Sequence, residues 1–115
     1  MLEMSIETLK KEIVSRLKPL ELQQITLFGS FAYGKPNEDS DIDLYVVTSD
    51  DFIPKSYAQS MSIRLKVANA LEELQAIIPI DIVTHTKKMY EKFVEQNSSF
   101  SKEILQKGEL LWGHH

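Results

Sequence analysis

The chain has 115 residues, 43% hydrophobic and 26% charged, with a formal net charge of -4. That size and balance fit one globular domain and exclude a disordered or fibrous chain. The acidic balance argues against general nucleic-acid binding, which needs a basic stripe, and the lack of cysteine removes disulfide and thiolate-metal chemistry.

Between Ser5 and Leu17, the residues Ile6, Leu9, Ile13 and Leu17 recur at steps of three and four. This predicts an amphipathic helix with Ser5 as N-cap and Pro19 as its stop. Lys10, Lys11, Arg16 and Lys18 make its other side basic, which reads as a solvated face. Gln24-Ile-Thr-Leu-Phe28 predicts a strand halted at Gly29. Ser30 to Tyr33 suits one helical turn before Gly34, and residues 35–40 read as a polar loop.

Ile42 to Val47 predicts a second strand, with Ile42, Leu44 and Val46 on one face and Asp41, Asp43 and Tyr45 on the other. From Pro54 to Ile78, the residues Tyr57, Met61, Leu65, Ala68, Leu71, Leu74 and Ile78 fall at helical steps. A single long helix of about 30 Å is expected, ended by Pro79. Ile80 to His85 predicts a third strand, and Thr86 can cap a helix carrying Met89, Tyr90, Phe93 and Val94. A last helical stretch from Phe100 to Lys107 is expected to end at Gly108 as a left-handed C-cap, with Leu110, Leu111 and Trp112 folding back on the core.

This order gives an α/β domain with a small mixed central sheet flanked by helices. One domain over residues 1–113 is expected, with His114 and His115 set aside as a purification-tag remnant. No apolar run approaches the ~20 residues a membrane helix needs, and the N-terminus lacks a leader pattern, so a cytoplasmic protein away from membranes is expected.

Three features carry chemistry. Gly29-Ser30 after a strand offers free backbone N–H groups and a hydroxyl, which suit a phosphate, although such a pair is often a mere turn. Asp41 and Asp43, two residues apart on one strand face, repel each other unless a cation sits between them. Magnesium is commonly held this way, by one or two carboxylates plus substrate phosphates; the plainer alternative is a pair of solubilising charges. Asp81 opens a strand otherwise made of Ile80, Ile82 and Val83, and would join the pair if the two strands were neighbours. Three carboxylates beside a phosphate turn describe a two-metal transfer site. His85 lies four residues from Asp81, hence ~13 Å along the strand, and reads as a strand-end surface histidine.

The Gly29-Ser30 turn, the phrase Ser40-Asp-Ile-Asp-Leu44 and the later Asp81 together resemble the nucleotidyltransferase superfamily of DNA polymerase β. The match covers Phe28 to Val47 and Ile80 to Val83. The resemblance implies a polymerase β-like nucleotidyltransferase fold in which Gly29 and Ser30 contact nucleotide phosphates. By the same resemblance Asp41, Asp43 and Asp81 form the catalytic carboxylates and hold magnesium, with two ions expected and ATP as substrate. Many members carry arginine where this chain has Tyr33, a departure that leaves the phosphates without that positive charge, with Lys35 the one candidate substitute.

With no acceptor domain expected in a chain this short, the acceptor is expected on a partner. Small members resemble MntA-type antitoxins of HEPN/MNT toxin–antitoxin modules. That implies AMP transfer to a tyrosine hydroxyl of a HEPN-type toxin. Two other readings stand beside it: a binding-only antitoxin with a vestigial nucleotide site, and an aminoglycoside-type small-molecule transferase working as a homodimer.

Overall fold

The computed structural model of the chain describes residues 5–34 and 41–113. Ser5 caps α1 (Ile6–Leu17) by accepting from the Thr8 amide, and Leu9, Ile13 and Leu17 are its buried side. Pro19 stops the helix in a 3-10 turn, after which Glu21 takes a left-handed conformation and redirects the chain. The strands β1 (Gln24–Phe28), β2 (Ile42–Val47) and β3 (Ile80–His85) have the expected bounds. Thr86 caps α4 (Lys87–Gln96) by accepting from the Met89 amide. The loop predicted over residues 35–40, with Lys35, and the terminal histidines lie outside the described residues.

The expected long helix is two pieces, α2 (Tyr57–Ala70) and α3 (Glu72–Gln75). At Leu71 the backbone leaves the helical region, and its amide bonds to Ala68 in a tightened turn. Fourteen residues give α2 about 21 Å rather than 30. Its inward side also differs from the expectation. Ile63 and Val67 are buried, followed by Leu71 and Leu74, whereas Tyr57 and Leu65 face solvent. The helix is apolar on both sides, so periodicity alone does not decide which side meets the sheet.

The last segment departs further. α5 (Ser99–Lys102) runs into a π-helical turn (Glu103–Lys107), and the chain then forms a fourth strand, β4 (Glu109–Gly113). Gly108 is extended at φ -71, not left-handed. Its lack of a side chain matters for space, since a Cβ there would run into the Ile104 carbonyl oxygen and stand 2.7 Å from Thr26 Cγ2. The fold-back of the C-terminus is therefore a strand, with Leu111 packed on the core and Leu110 and Trp112 still partly exposed.

The sheet order is β3-β2-β1-β4. β2 runs antiparallel to β1 and parallel to β3, and β4 is antiparallel to β1, so the sheet is mixed as expected. Both faces are covered. On one, Ile25, Leu27, Ile42, Leu44, Val46 and Ile80 pack against α1 and the inward side of α2 and α3. On the other, Phe28, Tyr45 and Val47 pack against Phe93 of α4 and Ile104 of the π turn. Among the described residues no helix is long and apolar enough to cross a membrane.

Candidate active site

The site grows from the register of three strands. Asp43 pairs with Phe28 across the antiparallel ladder and with Asp81 across the parallel one. Paired residues share a face, so Asp43 and Asp81 project side by side from strands about 4.8 Å apart. Asp41 stands two residues earlier on the same alternation, exposed at the mouth of β2. All three lie at one end of the face that carries Tyr45 and Phe93 further in.

The turn after β1 meets this cluster directly. Gly29 has φ +76, and a Cβ on it would collide with Asp43 Oδ2. Only glycine lets the backbone pass this close to the carboxylate. The Ala32 and Tyr33 amides bond to the Gly29 carbonyl at 3.0 and 3.1 Å, which closes the single helical turn expected for residues 30–33. Among the described residues, no backbone hydrogen bond engages the Ser30 or Phe31 N–H. Such N–H groups at the start of a helical turn suit an anion.

The electrostatics are those of crowded negative charge. Burial first, then Asp81, Asp41 and Glu103, raise the Asp43 carboxyl above its ordinary value. A cation held beside Asp43 would relieve this repulsion. The donor set is all carboxylate oxygen, which suits a hard divalent ion. No three His, Asp or Glu side chains among the described residues stand close enough to hold an ion unaided. The side chains offer part of a coordination shell, with phosphate oxygens and water left to complete it, as magnesium sites on nucleotides require.

Glu103 is the residue that sequence reasoning missed. It sits half-buried at the start of the π turn and reaches both Asp43 and Tyr33 electrostatically. Tyr33 is 37% exposed. Burial, then the Glu103 carboxylate beside its hydroxyl, raise the Tyr33 pKa, with Asp43 adding a smaller push. The turn thus carries a phenol at Tyr33, set beside the Glu103 carboxylate. The one local signal for Glu103 was its place in a helical stretch, and which way that stretch faces depends on tertiary packing.

His85 is half-buried rather than a freely exposed strand-end histidine. Its Nδ1 lies 2.7 Å from the Tyr45 hydroxyl, and its ring meets Tyr45 and Phe93 edge to face at 5.0 and 5.1 Å. Burial lowers its pKa and pushes that of the fully buried Tyr45 far up, so burial favours the neutral form of each. Being four positions along β3 from Asp81, it takes no part in the carboxylate cluster.

A mixed sheet that sets a strand-pair of aspartates against a glycine-serine turn defines the class. Over residues 7–114 the chain matches the family described as "Polymerase beta, Nucleotidyltransferase", and it belongs to that family: it is a nucleotidyltransferase. Among relatives, it is 30% identical to a candidate protein adenylyltransferase of Methanocaldococcus jannaschii, over 95% of this chain and all of that one. Among solved structures, it resembles a toxin–antitoxin bound to AMP-PNP with a TM-score of 0.55 and 24% identity, over 92% of this chain and 74% of that one. It also resembles a candidate minimal nucleotidyltransferase with a TM-score of 0.54 and 21% identity, over 94% and 97% of the two chains. A variant of the toxin–antitoxin MntA–HpeT matches with a TM-score of 0.52 at 22% identity, over 92% and 74%. These structural likenesses concern the fold.

Proposed function

We propose that the chain transfers AMP from ATP to a tyrosine hydroxyl of a partner protein, a HEPN-type toxin, and acts thereby as its antitoxin. The observation that carries the reading is the register pairing of Asp43 with Asp81 beside the Gly29 turn. Support for a protein acceptor comes from the name of the Methanocaldococcus jannaschii relative, which this chain covers end to end. Support for a toxin partner comes from the toxin–antitoxin neighbours, and support for an adenine nucleotide from the AMP-PNP in one of them.

In this reading the Ser30 hydroxyl and the amides of the turn hold the triphosphate. Asp41 and Asp43 would hold magnesium against its phosphates, with Asp81 available to a second ion. Bound there, magnesium neutralises phosphate charge and assists departure of pyrophosphate. The acceptor oxygen forms a bond to the α-phosphorus while the bond to pyrophosphate breaks, and Asp81 at the exposed start of β3 takes the hydroxyl proton. Nucleotide, magnesium and partner are all required.

The test uses ATP labelled at its α-phosphate, magnesium and the co-expressed partner. Label should appear on a partner tyrosine with wild type and vanish with Asp41→Asn/Asp43→Asn. Label that persists in the double variant would remove these carboxylates from the chemistry.

A further inference from the structure

The inward side of α2 is Ile63 and Val67, but the helix has a second apolar side, exposed at Tyr57, Ala58 and Leu65 and half-buried at Met61 and Ala68. Tyr57, Ala58, Met61, Leu65 and Ala68 fall within an arc of roughly 100° when successive residues turn by about 100°. Tyr57 is 78% and Leu65 47% exposed. Phe52 and Ile53, in the segment leading to the helix, are exposed as well. The stripe follows the helix toward the start of β3. A crossover helix between parallel neighbours runs against them, so its far end, with the exposed Ile77, lies at the sheet end that bears Asp81.

Along α2 the margins of the stripe are basic, with the acidic Asp51 and Glu72 standing only beyond its two ends. Arg64 flanks it on one side, Lys66 lies beyond Ser62 on the other, and Lys55 precedes the helix. Tyr57–Ala70 contains no Asp or Glu, although the chain as a whole carries -4. Among the described residues neither Arg64 nor Lys66 is in an ion pair, while Lys10, Arg16 and Lys88 all are. This is a local positive frame around an apolar stripe.

We propose that the stripe docks an amphipathic helix of the partner protein, one whose apolar side is edged by Asp and Glu. Helix-on-helix docking reads such a stripe through anchors at steps of three and four, and complementary charge at the rim sets the choice of partner. A second copy of this chain fits poorly. Arg64 stands at the middle of α2, and two-fold pairing along the stripe would bring it against its own counterpart. The inference deepens the proposed function, resting on it only for the idea that the docked protein is also the acceptor.

The test uses the full chain and a synthetic helical peptide with Leu at the helical steps and Glu elsewhere, beside a counterpart with Lys in place of every Glu. The Glu peptide should shift the amide resonances of Tyr57, Met61 and Leu65, and bind more weakly as salt rises. Leu65→Glu and Tyr57→Glu, both at exposed positions, should each weaken binding about tenfold or more with an unchanged circular dichroism spectrum. Asp43→Asn should bind the peptide as wild type does even where it transfers no nucleotide, so docking and chemistry fail separately. Equal binding of both peptides, shifts mapping elsewhere, or undiminished binding by Leu65→Glu would overturn the proposal. So would a wild-type dimer that Leu65→Glu converts to monomer, since the occupant would then be a second copy.

Discussion

At Asp43 the charged form is disfavoured by burial and by three neighbouring carboxylates. A carboxyl whose folded pKa is raised contributes its stability below the unfolded value and loses it as pH rises through the folded one. Without divalent cation, the protein should therefore lose thermal stability on passing upward through the carboxylate range, and Asp43→Asn should be more heat-stable than wild type at neutral pH. Magnesium with ATP should reverse that order, read as melting temperature with and without both. His85 titrates with the opposite sign. Its lowered pKa means stability present above the ordinary histidine value and lost as pH falls through the folded one. Tyr45→Phe removes the hydroxyl that His85 meets and should cost about 0.5–1.5 kcal/mol in denaturant unfolding, with nucleotide transfer retained. Gly29→Ala should act on both stability and transfer. The left-handed backbone costs about 1–2 kcal/mol for a residue with a Cβ, and that Cβ displaces the Asp43 carboxylate. The aspartates were legible because strand alternation puts i and i+2 on one face whatever the fold. Glu103 and the burial of His85 were not, since each depends on which helix covers that face.

The strands β1, β2 and β3 were readable because short β-branched runs end at glycine, polar loops or proline, and each lies within one interior face or the other. α2 was harder. Its outer stripe has the more regular spacing, Tyr57, Met61, Leu65 and Ala68, while its inner ridge is only Ile63 and Val67 before the break at Leu71. Replacing residues on the two sides separates them. Leu71→Ala, at a fully buried position, should cost about 2–5 kcal/mol, whereas Leu65→Ala should stay within about 0.5 kcal/mol. Equal costs would mean that the outer side is packed in the folded chain. β4 escaped the reading because Leu110, Leu111 and Trp112 are extended only by virtue of the open edge of β1 that they pair with. That edge is not visible from the local sequence.

For the molecule as a whole, the parallel pairing of β2 with β3 is what sets a third aspartate, Asp81, next to the Asp-x-Asp motif. It brings Asp81 beside Asp43 across the whole of α2, and it leaves Asp81 on an edge strand where a second protein can approach. The opposite face of the sheet supplies the larger core. The measurement that bears most directly on this arrangement follows α-phosphate-labelled and γ-phosphate-labelled ATP, in parallel, into the partner protein with magnesium present. Transfer of the α-label alone to a tyrosine, abolished by Asp41→Asn/Asp43→Asn and sharply reduced by Asp81→Asn, is the predicted result. Transfer of the γ-label, or α-label transfer indifferent to all three aspartates, would contradict it.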